Sequence, residues 1–358
     1  LEINNLPSRT LTTEGEEFLY FSGTSYLGMG HQVAFRAALI EGMERYGTTF
    51  SVSRNNNLAL DIYAAAERFL AKLTRAETAL TMSSGMLAGQ TVVNTCFNHH
   101  KFYTLPRTHP AIWQGNTPPK IHNSFTETGF RIAKLATNEV LPKYCEGIVI
   151  AFNSVDPLFC EPYSWDWLDA LPTHRAITLL CDDSHGFGLL GTEGGGIYEM
   201  LHQRIKNKNN VSLVVTSSLG KALGVSGGVI LGSSEVITKV RQSAVFGGAS
   251  PILPAYLWAL MRCEDLFQSC REILFRNIQY FKNKIPKDGT FQWQLPIPVF
   301  HTKHNDLYNF LLKRKIWISH FAYPSAHDTP LTRIVLSALH TQNDIDTLIN
   351  AIEDWQYL

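Results

Sequence analysis

Four short stretches of the chain are apolar at nearly every successive position, and they constrain its fold more than any other feature. They are Ile148-Val149-Ile150-Ala151-Phe152, Ile177-Thr178-Leu179-Leu180-Cys181, Leu213-Val214-Val215 and Gly228-Val229-Ile230-Leu231. A strand with one wet face alternates apolar and polar residues, whereas an unbroken apolar run buries both faces. Helical patterns surround these runs, including Val33 to Tyr46 and a more strongly amphipathic one from Leu58 to Leu73. Strands alternating with helices imply an α/β fold, a mostly parallel central sheet with helices on both faces.

Gly247 to Pro254 punctuates the chain, and a long helical stretch is expected from Ala255 to Lys284. The last hundred or so residues mix helix and strand signals and end in a helix from Asn343 to Trp355. Residues 1–30 are polar and turn-rich. The expected organisation is an N-terminal arm at 1–44, a large α/β domain at 45–250 and a smaller α+β domain at 251–358. With 45% hydrophobic and 17% charged residues over 358 positions, a large core is within reach. The 31 basic residues equal the 31 acidic ones, so the chain lacks the basic excess that a nucleic-acid or anionic-membrane partner would call for. No apolar run approaches the roughly 20 residues of a spanning helix. The six cysteines form no CxxC pair and are expected as reduced, mostly buried thiols of a cytoplasmic protein. No basic-then-apolar signal opens the chain, and its start at Leu1 instead of Met leaves a trimmed start open.

Three of the apolar runs end in polar residues of chemical interest. Asn153 and Ser154 follow Phe152; Asp182, Asp183, Ser184 and His185 follow Cys181; Thr216, Ser217, Ser218 and then Lys221 follow Val215. Taken singly, such residues are turn formers, caps or solvated charges. Together they fall at the same end of consecutive strands, where open α/β sheets bind their ligands.

Lys221 lies among glycines in Ser218-Leu219-Gly220-Lys221-Ala222-Leu223-Gly224. Gly220 and Gly224 let backbone pass close to a bulky cofactor. A lysine amine attacks an aldehyde only when unprotonated, which calls for a pocket that lowers its pKa. An ionised Asp182 could keep a pyridine nitrogen protonated, making the ring an electron sink. A phosphate needs N–H groups at a helix start, and Ser84-Gly85-Met86, after an apolar run and before a helical pattern, offers one. These requirements meet in pyridoxal 5'-phosphate (PLP), bound to Lys221 as a Schiff base. Two other phosphate motifs fail. Gly186-Phe187-Gly188-Leu189-Leu190-Gly191 spells a dinucleotide fingerprint, but Asp182 to His185 intervene after the strand and no acid stands about 20 residues on. Gly220-Lys221 is followed by Ala222 and lacks the earlier glycine of a P-loop.

These motifs resemble the α-oxoamine synthase family of fold-type I PLP enzymes, over most of the chain and in the family's order. Tyr26-Leu27-Gly28 is similar to its NYLG, with Ser25 in place of Asn; Tyr46-Gly47 and Ser53-Arg54 to its "YG…GSR", followed by the acidic Glu67. Ser84-Gly85 matches the phosphate-loop SG, and Thr108-His109-Pro110-Ala111 the stretch whose histidine stacks on the pyridine. Ser154-Val155-Asp156 resembles "SMDGD", whose serine lines the cofactor. Asp182-Asp183-Ser184-His185-Gly186 resembles "DEAHS.G", and Ser218-Leu219-Gly220-Lys221 resembles "TLGKA.G". The resemblance implies that Asp182 holds the ring nitrogen, His185 the phenolic oxygen, Ser218 the phosphate and Lys221 the aldehyde carbon. It further implies that Ser250 reaches the phosphate of a neighbouring subunit in a homodimer, and that Arg333 grips an amino-acid carboxylate. Departures from the pattern are Gly89 for the usual Asn, Met86 for the usual aromatic, Asn55 to Asn57 where glycine is common, and a short stretch from Ile112 to Phe130.

The activity implied is condensation of a small amino acid with an acyl-CoA and loss of carbon dioxide, giving an α-oxoamine. Lys221 would act a second time as the base that removes the α-proton. Biotin synthesis is the commonest role in the family. The alternatives are another fold-type I reaction, such as an aminotransferase or an aldolase-type lyase, and a binding protein that keeps the fold without turnover. Neither the amino acid nor the acyl chain is legible in the sequence.

Overall fold

A computed structural model describes residues 2–115, 123–323 and 328–357. They cluster into two compact units, one of Leu1–Val33, Pro157–Pro162 and Asp265–Leu358, the other of Ala34–Asp156 and Tyr163–Glu264. The units therefore change over at 33/34 and 264/265, where the sequence reading set boundaries at 44/45 and 250/251.

The chain opens with β1 (Thr10–Thr13) and β2 (Glu16–Phe21), an antiparallel hairpin turned by Glu14 and Gly15, both at positive φ. In the larger unit come β3 (Thr78–Met82), β4 (His100–Thr104), β5 (Gly147–Asn153), β6 (Ile177–Asp182), β7 (Val211–Ser218) and β8 (Gly228–Gly232). They form one sheet in the order β3-β8-β7-β6-β5-β4. Every residue of β5 and β8 is buried, as unbroken apolar runs require. β4 to β7 are parallel, but β8 is antiparallel to both β3 and β7. The Gly228 run therefore breaks the parallel pattern. Only residues 219–227 separate β7 from β8, fewer than the dozen or so that a parallel crossover takes.

The helix Gly85–Cys96 covers one face of this sheet, burying Ala88, Val92 and Val93 against Leu80, Val149, Leu180, Val214 and Ile230. Two further helices begin near their expected places, Val33–Tyr46 and Asp61–Thr74. The expected 255–284 helix is two, Pro254–Arg262 and Glu264–Lys284, with the break at Cys263.

The smaller unit adds β9 (Gln292–Trp293), β10 (Val299–Thr302), β11 (Ile316–Ala322) and β12 (Pro330–Val335), and closes with the helix Gln342–Gln356. Its sheet runs β1-β2-β11-β12-β10-β9, so the N-terminal hairpin pairs with strands from the far end of the chain. Phe281 and Phe300 meet edge to face at 4.8 Å in its core. Among the described residues no helix is long and apolar enough to cross a membrane. The six cysteines are unbridged.

Candidate active site

Strand register brings the expected residues together. At their carboxyl ends Asn153 of β5, Asp182 of β6 and Thr216 of β7 lie side by side. On the other side of β7, Ser218, Gly228 and Met82 are in register across β8 to β3. One end of the sheet therefore carries the turns after β3, β5, β6 and β7, where Ser84, Ser154, Asp182, His185, Ser218 and Lys221 sit.

The helix after β3 starts within this row. Ser84 caps it, its Oγ accepting from the Leu87 N–H at 3.1 Å. Gly85 packs so tightly on the end of β7 that a Cβ there would lie 2.7 Å from the Ser218 Cα. Gly228 is pressed likewise against the Ser84 carbonyl. These close approaches bring Ser84, Gly85 and Ser218 to one spot at the start of a 12-residue helix, a place suited to an anion. Met86, in the first turn, is exposed.

His109 follows β4 in a loop tied down from below. Asn153 accepts from the His109 N–H through Oδ1 at 2.9 Å and donates to the Arg107 carbonyl at 2.7 Å. A buried Arg107–Asp156 ion pair of 3.2 Å holds the same loop. The His109 Nδ1 accepts from the Ala111 N–H at 3.2 Å and lies 3.8 Å from Asp182 Oδ2. Burial holds the imidazole pKa below its usual value, Asp182 opposes that, and Lys221 adds to it. His109, Asp182 and Lys221 thus share one electrostatic environment. The imidazole remains 40% exposed, Asp182 only 5%. Gly89 explains one departure from the family pattern: any Cβ there would strike the carbonyl of Ala111, in the turn that follows His109.

Asp182 accepts from the Ser184 N–H at 2.9 Å, and Ser184 Oγ in turn accepts from the Ser218 N–H at 2.8 Å. Ser218 Oγ accepts from the Gly220 N–H at 3.2 Å, next to Lys221. The turn after β6 is thereby latched to the loop that carries the lysine. Asp183 lies beneath, fully buried, accepting from the Ile197 N–H at 2.8 Å. Burial pushes its carboxyl up to about 7 against the pull of Ser154, Ile197 N–H and Lys221, while Asp182 pushes it further up. Ser154 Oγ lies close enough to exert that pull, yet neither it nor Asp183 Oδ1 makes a well-formed hydrogen bond.

His185 follows in the same turn, half-buried. Ser250 stands apart from this group. It is exposed, in a cleft of about 430 Å³ lined by residues 49–53 and 247–251. Arg333 belongs to the smaller unit, on β12 opposite His301 of β10. Part of the departure expected between Ile112 and Phe130, residues 116–122, lies outside the described residues.

Sequence reasoning assigned no role to Asn153, Asp183 or Ser184. Each was visible as a polar residue at a strand end, but its partner lies elsewhere: in the loop after β4 for Asn153, at Ile197 for Asp183 and on β7 for Ser184. Ser184 also occupies the alanine position of the motif it resembles, a signal in itself.

A family model described as "Aminotransferase class I and II" matches residues 160–352, more than half of the chain. The chain belongs to that family. An 8-amino-7-oxononanoate synthase of Thermosipho melanesiensis is 26% identical over 365 residues, covering 96% of this chain and 89% of its own. A solved serine palmitoyltransferase of Sphingomonas wittichii superposes with a TM-score of 0.80 at 18% identity, over 98% of this chain and 90% of that one. Another solved structure, of SPT with PLP as an internal aldimine, reaches 0.81 at 19% identity, over 99% and 91%. The fold is therefore that of fold-type I PLP enzymes. The resemblance to the α-oxoamine synthases read from the motifs is borne out by these relatives.

Proposed function

We propose that this chain is a PLP-dependent acyltransferase that joins a small amino acid to an acyl-CoA, with loss of carbon dioxide, to give an α-oxoamine. The observation that carries the reading is the meeting of an ion-accepting helix start, Asp182, His109 and Lys221 at one end of the larger sheet. The residues present fit PLP. The Ser84–Gly85 helix start and Ser218 suit its phosphate, and the close packing of Gly85 and Gly228 gives that cradle its shape. Asp182, tied to its own turn by the Ser184 N–H, suits the ring nitrogen. His109, half exposed beside Asp182, would suit the ring face, His185 would be a candidate for the phenolic oxygen and Met86 for the phosphate end, while Ser154, sealed beside Asp183, would act from behind the cofactor.

When bound, PLP supplies an aldehyde and an electron-withdrawing ring that drains charge from the substrate's α-carbon. Asp182 would hold the ring nitrogen's proton. Lys221 would provide the amine that holds the aldehyde and, when free, would be the base for the α-proton. The charge of Asp182 favours a cationic His109, while its burial and Lys221 disfavour one, so His109 is poised as a neutral donor. Arg333, with a planar fork of N–H groups, suits the amino acid's carboxylate. Ser250, exposed in its own cleft, suits a contact with a second copy of the chain in a homodimer.

A panel of amino acids against acyl-CoAs of rising length, followed by CoA release, tests the reaction. Amino-acid-dependent CoA release is expected. Keto-acid formation without CoA would instead favour an aminotransferase, consistent with the family's description.

A further inference from the structure

The smaller unit buries a histidine for which neither the fold nor the proposed chemistry has so far supplied a use. His301 sits on β10 directly opposite Arg333 of β12, and residues paired in this way present their side chains on one face of the sheet. Both are buried, at 5% and 9% exposure. Phe159 packs edge-on against the imidazole at 5.2 Å, and Phe321 lies under the guanidinium at 4.9 Å. Arg333 donates to the Pro157 carbonyl, and Tyr26 shares its electrostatic environment. Among the described residues, however, the His301 ring makes no hydrogen bond. Buried polar groups are almost always bonded, so an imidazole this deep without a partner calls for one.

The surroundings define that partner. Burial, then Arg333, then Lys303 hold the imidazole pKa down to about 4. His301 is therefore uncharged at neutral pH and carries one N–H donor and one acceptor nitrogen. Beside it stands a permanent guanidinium with several donors. A group with one negative charge and two acceptor oxygens satisfies both: one oxygen takes the arginine, the other the imidazole N–H. A second cation would be repelled, and an apolar group would offer the imidazole N–H no acceptor.

We infer that His301 and Arg333 form one carboxylate-binding subsite, in which His301 donates its ring N–H to the amino-acid carboxylate that Arg333 pairs with. This rests on the reading of Arg333 given above and adds to it a residue for which no role follows from the motifs. His301 is then a binding residue that discriminates carboxylate-bearing amines from amines without one.

The test measures the gap in affinity between L-alanine and ethylamine, by calorimetric titration of the full-length PLP-loaded protein. His301→Phe keeps an aromatic ring in the space and removes the donor. His301→Leu serves if the larger ring prevents folding, and His301→Gln restores a donor. The gap is expected to shrink about tenfold in the apolar variants, through weaker L-alanine binding with ethylamine unchanged, and to recover in His301→Gln. An unchanged gap in the apolar variants overturns the role of His301. Arg333→Lys reports separately: a gap that shrinks there but not in the His301 variants leaves the arginine reading standing and removes only the histidine. If Arg333→Lys leaves the gap intact, the arginine reading itself fails.

Discussion

Replacing Gly85 with Ala isolates the contribution of the helix start to the proposed cofactor site. The added Cβ would lie 2.7 Å from both Cα and Cβ of Ser218 and 2.8 Å from its N. These are rigid main-chain neighbours, and ordinary contact begins near 3.4 Å. The helix and the end of β7 must therefore separate by about 0.7 Å. Overpacking of this kind costs ~1–3 kcal/mol, offset by up to about 1 kcal/mol because alanine favours helix over glycine. The net expectation is a loss of about 1–2 kcal/mol in stability. The shift also pulls Ser84 away from Ser218, so PLP affinity should fall about tenfold, equivalent to ~1.4 kcal/mol. Urea unfolding of the cofactor-free protein reads the first effect, and titration of the visible PLP absorbance reads the second. Gly232→Ala is the control, since its nearest neighbour would lie at 3.6 Å. Unchanged stability together with PLP affinity within twofold of the parent would refute both the packing argument and the placement of the phosphate.

Lys221→Ala should leave no cofactor adduct that borohydride can fix, as mass spectrometry of the reduced protein would show; a fixed adduct would assign the aldehyde to another lysine. Glu67 is buried between Arg54 at 2.8 Å and Arg241 at 2.6 Å and also accepts from Thr81. Glu67→Gln strands the buried Arg54 charge and should cost about 3 kcal/mol by urea unfolding; a loss below about 1 kcal/mol would mean that the cluster breaks even. The Asp183 carboxyl, raised to about 7 in the fold, holds its proton in the native state where the unfolded chain has lost it. Its contribution is therefore full at low pH and is lost as pH rises from about 4 through 7. Asp183→Asn, which keeps an acceptor for the Ile197 N–H, should flatten the fall in stability between pH 5 and 8, and parallel pH profiles of parent and variant would contradict that.

The central sheet was legible because burial on two faces writes itself as continuous apolarity, and β5, β6 and β7 all extend the runs read from the sequence. The reversed β8 carries the same apolarity as its parallel neighbours, so composition hides its direction; only the nine-residue link to β7 discloses it. The break at Cys263 falls where neither glycine nor proline stands, which leaves one continuous helical pattern. The hairpin of β1 and β2 was missed for a different reason: its strands are short, the threonines of β1 and Glu16-Glu17 mask the apolar Phe18–Phe21 stretch, and β2 is completed only by β11. At the site, Asp182 and Lys221 could be named from their places after apolar runs, and His109 from the family resemblance alone. The latch from Ser184 to Ser218, the support of His109 by Asn153 and the depth of Asp183 depend on register between strands, which no single segment records.

Leu19 of β2 pairs with Ile316 of β11, about 300 residues later in the chain. On a ribosome adding roughly 5–20 residues per second, that partner emerges about 15–60 s after the hairpin does. For that interval β2 presents an unpaired edge in a nascent chain, a surface open to pairing with other strands. The charged Glu16 and Glu17 at its start disfavour such contacts. The order of synthesis thus sets a period of exposure that the finished fold conceals.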